Sequence, residues 1–290
     1  MPFTHVSTFR VRYHECDYYG RVNHTNYLRY MQEAAFDASA SVGYDLARYE
    51  AINRFWLVRE TDVDISRSLR YGDSVEVKTW VADFRRVRSR RMYEIRLTGS
   101  EELVARAYTD WAFMDSIKRR PVTIPPKMVT TFFPEGPPEA MRPQFPSPPP
   151  PPPGVFRLRR QVKWGDIDGA QHVNNAVYLA YMEDCAMRAA TAHKWPLARM
   201  QAEGVAIVAR RHHIEYRQPA LLGDELELVT WLSDVGWTSA VRHYAVTRVS
   251  DDALLARARS ILVWTDADTE RPSSIPVAFL KDLAPNIADT

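Results

Sequence analysis

Two stretches of the chain carry apolar residues at the three- and four-residue spacing of a helix with one buried face. They are Tyr27, Tyr30, Met31, Ala34, Ala35 and Ala38, and later Tyr178, Tyr181, Met182, Cys185, Ala186 and Ala189. The small residues leave a face that another layer can approach closely. Each stretch follows a short strand-like run (8–15; 157–164) and a polar loop, so the helices are expected to start near Asn26 and Ala176. Each is followed by four runs in which β-branched and aromatic residues alternate with polar ones: 56–69, 74–84, 90–97 and 103–114, then 205–216, 225–235, 239–249 and 254–264. Turns such as Tyr71-Gly72-Asp73 and Leu222-Gly223-Asp224 suit antiparallel hairpins. A helix followed by an antiparallel sheet is an α+β unit.

The unit occurs twice. Displacing the sequence against itself by 151 positions brings Asp17 onto Asp168, Val22-Asn23 onto Val173-Asn174, and Tyr30-Met31 onto Tyr181-Met182. The same displacement brings Gly72-Asp73 onto Gly223-Asp224, Thr79-Trp80 onto Thr230-Trp231, and Pro121 and Pro125 onto Pro272 and Pro276, with no gap. Three segments are expected: a first domain over 1–130, a linker over 131–154 and a second domain over 155–290. Proline density over 134–154 excludes helix and central strand and favours an extended polyproline II path. About 20 such residues at ~3.1 Å each span roughly 60 Å, enough to cross one domain. Between repeats a spacer is the preferred reading over a ligand for an SH3 or WW domain.

Composition narrows the function classes. A formal net charge of +2 gives no global field for nucleic acid or a membrane surface. The two cysteines, Cys16 and Cys185, form neither a metal-ligand spacing nor a disulfide framework, which suits a reducing compartment. No stretch approaches the ~20 apolar residues of a membrane span, and residues 1–15 have no apolar leader core. The expectation is a cytoplasmic protein with no membrane insertion and no nucleic-acid partner.

The loops before the two helices carry the chemistry: HECDYYGRVNHTNY over 14–27 and DIDGAQHVNNAVY over 166–178. A loop carboxylate can activate water or attack a carbonyl, and N–H dipoles can stabilise a developing oxyanion. A loop that ends at a helix N-terminus offers both. The first loop resembles that of the 4-hydroxybenzoyl-CoA thioesterases and their short-chain acyl-CoA relatives. The second resembles the DLDVNQHVNN segment of acyl-ACP thioesterases. The likeness extends to GDSVEVKTWV (72–81), TDWAFMD (109–115), RRPVTIP (119–125) and IEYRQPALLGDELEL (214–228), nearly the whole chain outside the linker and tail.

The resemblance implies two hotdog domains, each a long helix wrapped by an antiparallel sheet, joined as an intrachain pseudo-dimer. It also implies a thioester hydrolase acting on acyl-CoA or acyl-ACP in fatty acid metabolism, with no metal or organic cofactor. Asp17 and Asp168 are the expected catalytic carboxylates. His24 and His172 are expected to orient the thioester or move a proton, and backbone amides near 23–26 and 174–177 to hold the oxyanion. Asn23, Asn26, Tyr27 and Met31, with Asn174, Asn175, Tyr178 and Met182, are the expected substrate-binding set. Two departures stand out: Ala170 where acyl-ACP thioesterases carry a catalytic asparagine, and Pro219 where the plant enzymes carry a catalytic glutamate. The first motif is closer to complete, so the first crevice is expected to carry the hydrolysis.

Blander readings accompany each of these. Aspartates cap loops and helices, and asparagines satisfy turn backbone. His212 and His213 are adjacent on a strand and point to opposite faces, against a shared metal site. Cys16, with Ile167 as its counterpart, reads as a packed thiol, and the arginines of 85–91 mostly as a solvated hairpin, with coenzyme A phosphates or an acidic carrier protein as the alternative ligand. The competing functions are a non-catalytic acyl-thioester binding or assembly module and, as a weaker option, a hotdog hydratase or dehydratase. A homodimer of the two-domain chain is left open.

Overall fold

The computed structural model describes residues 2–133 and 144–288. Ten linker residues, 134–143, lie outside it. The chain divides into two compact units, Met1–Gln144 and Phe145–Thr290.

In the first unit, β1 (Thr4–Arg10) leads through a 3-10 turn (Tyr13–Glu15) to the long helix α1 (His24–Ala40) and the short α2 (Leu46–Ala51). Strands β2 (Arg54–Ile65), β3 (Ser74–Phe84), β4 (Arg88–Leu97) and β5 (Leu103–Asp115) follow, then α3 (Pro126–Phe132). The second unit repeats this series as β6 (Phe156–Gln161), a 3-10 turn (Trp164–Asp166), α4 (Asn175–Ala192), α5 (Leu197–Ala202), β7 (Val205–Tyr216), β8 (Glu225–Ser233), β9 (Ser239–Arg248), β10 (Ala253–Asp266) and α6 (Val277–Leu283). Strand order is β1-β3-β4-β5-β2 in the first unit and β6-β8-β9-β10-β7 in the second, antiparallel throughout. The topology is therefore duplicated strand for strand.

The long helices bury the face that the spacing marked. Tyr27, Ala34 and Ala38 are fully enclosed and Met31 nearly so, with α1 lying against β1 and β3; Tyr178, Met182, Cys185 and Ala189 do the same on α4. Cores extend the helix contacts: Tyr49, Val81, Phe113, Met128 and Phe132 in the first unit, and Trp195, Met200, Leu232, Trp264 and Phe279 in the second.

Several boundaries differ from the sequence pattern. The run expected as a strand over 8–15 stops at Arg10, because the Glu15 carboxylate accepts a hydrogen bond from the Arg12 amide at 2.7 Å and closes the 3-10 turn. The Lys163 amide and the Asp166 carboxylate do the same at 2.8 Å in the second unit. Both long helices begin earlier than expected, at His24 and Asn175, because Asn23 and Asn174 cap them. Four helices of six or seven residues were not anticipated. Such pieces are too short to display a helical period and are held by tertiary packing, as with Met128 and Phe132 on α3.

Candidate active site

Each loop is pinned in the same way before any side chain is free to do chemistry. Isolated bridges pair Cys16 with Val22 and Ile167 with Val173, forming a narrow loop with the aspartate at its entrance. Asp17 donates its amide to the Arg21 carbonyl (2.6 Å), and Asp168 donates its own to the His172 carbonyl (3.2 Å).

The two carboxylates are then used differently. Asp17 Oδ1 accepts the amides of Tyr19 (2.8 Å) and Arg21 (3.0 Å), an Asx turn closed on its own backbone. Asp168 Oδ1 accepts the Ala170 amide (2.9 Å), while its Oδ2 accepts Asn174 Nδ2 at 3.0 Å. Asn174 is also the α4 cap, and its Oδ1 accepts the Ala176 amide at 2.9 Å. One asparagine thus ties the candidate carboxylate to the helix start. Both aspartates are half-buried.

The histidines differ too. His172 Nδ1 lies 3.2 Å from the Val173 carbonyl, so that nitrogen carries the proton in the bonded tautomer. Among the described residues its Nε2 is buried without a hydrogen-bond partner. His24 is the first residue of α1, with its ring 6.3 Å from that of Tyr27.

Helix capping consumes part of the expected oxyanion hole. The amides of Thr25 and Ala176 go to the cap side chains, and those of Asn26 and Val177 to the cap carbonyls, at 2.9–3.0 Å. The cap amides themselves go to the carbonyls of Glu15 (2.8 Å) and Asp166 (3.0 Å). In the second copy the Asn175 amide, first in the helix, is left with no acceptor among the described residues. The expected stretch of donors therefore narrows to one helix position.

The remaining expected substrate-binding residues hold the loop and the helix. Tyr27 hydroxyl accepts the Leu69 amide (3.1 Å), and Tyr178 hydroxyl accepts the Ala220 amide (3.0 Å). Burial pushes the Tyr178 phenol up to about 12. Asn26 Nδ2 donates to the Glu15 carbonyl (2.9 Å), and the Asn175 carbonyl accepts the Tyr216 hydroxyl (3.0 Å). Met31 and Met182 sit on the enclosed helix face.

Other residues were not singled out by the sequence. Glu15, a buried carboxylate, accepts the Tyr30 hydroxyl at 2.6 Å, and this contact together with burial drives the phenol well above its usual range. Its register partner Asp166 was the available clue. The arginines of 85–91 are not one solvated group. Arg85, Arg86 and Arg88 are exposed, but Arg90 and Arg91 are buried, because β4 begins at Arg88 and carries them into the sheet. Cys16 has its thiol raised by burial, in keeping with a packed thiol. His212 Nδ1 lies 2.8 Å from Ser260 Oγ, whereas the His213 ring lies 4.4 Å from that of Phe145, so the two do face apart.

The two halves match different family models. Residues 2–132 match the family model of the acyl-ACP thioesterase N-terminal domain, and residues 162–283 that of the thioesterase-like superfamily. A chloroplastic palmitoyl-acyl carrier protein thioesterase of Gossypium hirsutum is 24% identical over 251 residues, 80% of this chain and 57% of that protein. The acyl-CoA thioester hydrolase YbgC of Escherichia coli O157:H7 is 28% identical over 128 residues, 44% of this chain and 95% of that protein. The chain spans about a third to just over half the length of the chloroplastic relatives it matches first. In three dimensions it resembles the 12:0-ACP thioesterase from Umbellularia californica with a TM-score of 0.68 at 20% identity, covering 89% of this chain and 93% of the other. The fold is thus two hotdog domains in tandem, and both halves resemble thioesterase families. No described helix is long and apolar enough to cross a membrane.

Proposed function

We propose that the chain hydrolyses an acyl thioester, carried on coenzyme A or an acyl carrier protein, to the free acid and the thiol. One observation carries this reading. Within eight residues of the second loop stand a half-buried carboxylate (Asp168) and, among the described residues, an imidazole nitrogen with no partner (His172 Nε2) and a helix N-terminal amide with no acceptor (Asn175). These are the three kinds of group that thioester hydrolysis requires. Asp168 takes a proton from the attacking water, with Asn174 holding the carboxylate in place. The Asn175 N–H faces the charge that develops on the carbonyl oxygen, where the helix dipole adds to it. His172 accepts a hydrogen bond from the attacking water at Nε2, and the proton that Asp168 takes from the water passes on to the departing thiolate.

The relatives support the substrate class, since one is named a palmitoyl-acyl carrier protein thioesterase and another an acyl-CoA thioester hydrolase. With this activity the chain serves fatty acid metabolism in the cytoplasm. The unpartnered groups favour the second crevice over the first, where Asp17 is closed on its own turn.

The test is thiol release across a panel of acyl-CoA and acyl-ACP substrates, for wild type, Asp17→Asn, Asp168→Asn and the double variant. The expected order of loss is double variant, then Asp168→Asn, then Asp17→Asn. A double variant as fast as wild type would overturn the carboxylate assignment. A panel that releases no thiol would leave the chain a binding module.

A further inference from the structure

One end of the first unit is far more basic than the net charge of +2 suggests. Two segments meet there. The tip of the β3–β4 hairpin presents Arg85, Arg86 and Arg88, while the turn after β5 and the start of α3 present Lys118, Arg119, Arg120 and Lys127, all of them exposed. Backbone hydrogen bonds hold the segments together. Phe113 donates its amide to the Val87 carbonyl and accepts the Val122 amide, both at 2.9 Å, and the Ile124 amide donates to the Arg86 carbonyl at 2.9 Å. Arg120 is four residues from Ile124, at most about 14 Å of chain, so the cations share one end of the unit. Neither 84–91 nor 116–133 contains an aspartate or a glutamate. Arg86, Arg88, Lys118, Arg120 and Lys127 form no ion pair among the described residues. The turn also carries an apolar tip: Ile117, next to Lys118, is 73% exposed.

The second unit is an internal control. At the displacement of 151 positions Arg85, Arg86 and Arg88 become Gly236, Trp237 and Ser239, while Lys118, Arg119 and Lys127 become Thr269, Glu270 and Ala278. Only Arg120 keeps its charge, as Arg271, and Ile117 becomes Asp268. The backbone there is nevertheless the same, with the Ile275 amide bonded to the Trp237 carbonyl at 2.9 Å. Folding therefore does not call for these charges. Nor does the loop of Asp17, which borders the other end of β3, where Val11 bonds to the Asp73 carbonyl. The eleven residues of β3 at ~3.3 Å each put the hairpin tip roughly 30 Å from that end.

We infer that this end of the first unit docks on an anionic lipid surface, with the cations over the headgroup phosphates and Ile117 entering the boundary with the acyl chains. Clustered cations suit any polyanion, and the exposed isoleucine beside them selects among polyanions. Nucleic acid and an acidic protein satisfy the arginines but leave Ile117 without an apolar phase. A bilayer surface rich in acidic lipid takes both. The contact is peripheral and involves turns and a hairpin tip, so it requires no spanning helix. A small net charge conceals it because the acidic residues lie elsewhere in the chain.

The test is cosedimentation of the full chain with two kinds of vesicle, phosphatidylcholine alone and phosphatidylcholine with one third phosphatidylglycerol, at low and at high salt. Wild type is expected to partition at least about tenfold better onto the anionic vesicles, and salt should remove most of that preference. A basic residue at such a surface is worth roughly fivefold in partition, so Arg85→Gln, Arg86→Gln and Arg88→Gln together should lose about 100-fold. Ile117→Ser should lose roughly tenfold, the share of a side chain that leaves water. Circular dichroism checks that each variant is folded. Equal partition of wild type onto both vesicles overturns the inference, as does a folded triple variant that binds like wild type. Loss in the triple variant with Ile117→Ser unchanged also overturns it, in favour of an acidic soluble partner. The wild-type comparison decides even where a variant fails to fold. Vesicle binding needs no thioester, so failure here is distinct from failure of the hydrolase reading.

Discussion

Asn174 is the residue whose replacement best separates chemistry from architecture, because its two ends do two jobs. Oδ1 caps α4 through the Ala176 amide, and Nδ2 holds Asp168 Oδ2 at 3.0 Å. Serine keeps an oxygen for the cap and removes the amide donor. A hydrogen bond to a charged group is worth about 1.5–3 kcal/mol, and the half-exposed loop puts this one near the lower end. Loss of about 1.5 kcal/mol from a group that works in the transition state is roughly tenfold in kcat. Asn174→Ser is therefore expected to lose about tenfold in kcat of thiol release with a nearly unchanged melting temperature. Alanine removes the cap as well, costing a further ~1 kcal/mol. In a domain of this size that lowers the melting temperature by roughly 2–5 °C. The measurements are kcat and KM for thiol release beside a thermal melt of each variant. Wild-type kcat in Asn174→Ser, with Asp168→Asn inactive, would show that the asparagine does not position the carboxylate.

Three further outcomes follow from groups outside the loops. His243 is buried against Ser233, with Nε2 2.7 Å from Oγ, and burial followed by the Arg259 charge lowers its pKa from 6.5 to about 4. The unfolded chain therefore binds the proton first. Stability is fully present above about pH 6.5 and falls by up to about 3 kcal/mol as pH drops towards 4, a loss that urea unfolding should show and that His243→Gln should remove. Asp110→Asn leaves the buried Arg90 without its charge partner and is expected to cost about 3–5 kcal/mol, mostly recovered by the double change with Arg90→Met; equal stability of Asp110→Asn and wild type would refute this. Gly154→Ala would place a Cβ 2.5 Å from the Pro285 carbonyl oxygen, so the backbone bond between these residues (3.0 Å) must break; hydrogen exchange at Gly154 should quicken, and unchanged protection would exclude the clash.

The duplicated register, the long helices and nine of the ten strands were legible because each rests on a pattern many residues long, whereas β1 (Thr4–Arg10) shares only residues 8–10 with the run expected over 8–15. Residues 74–84 and 205–216 were read to the residue. What escaped were features set by contacts distant in sequence. The amides of Thr25 and Ala176 looked available until the capping asparagines claimed them. Arg90 and Arg91 looked like part of a basic hairpin, since a run of arginines carries no period to tell a strand end from a turn. The bond between Asp168 and Asn174 was beyond the sequence, because Asp17 at the matching position turns to backbone instead.

Beside the long helix the first unit keeps a small opening where the second unit has a packed cluster. At Met200 and Leu262 a smaller side chain leaves a void inside a packed cluster and costs stability. At Ser89 and Trp111 the side chains border space that is already open, so a change there also reshapes the opening. A substitution in the first half can therefore alter the shape of the interior where its counterpart in the second half only loosens the packing.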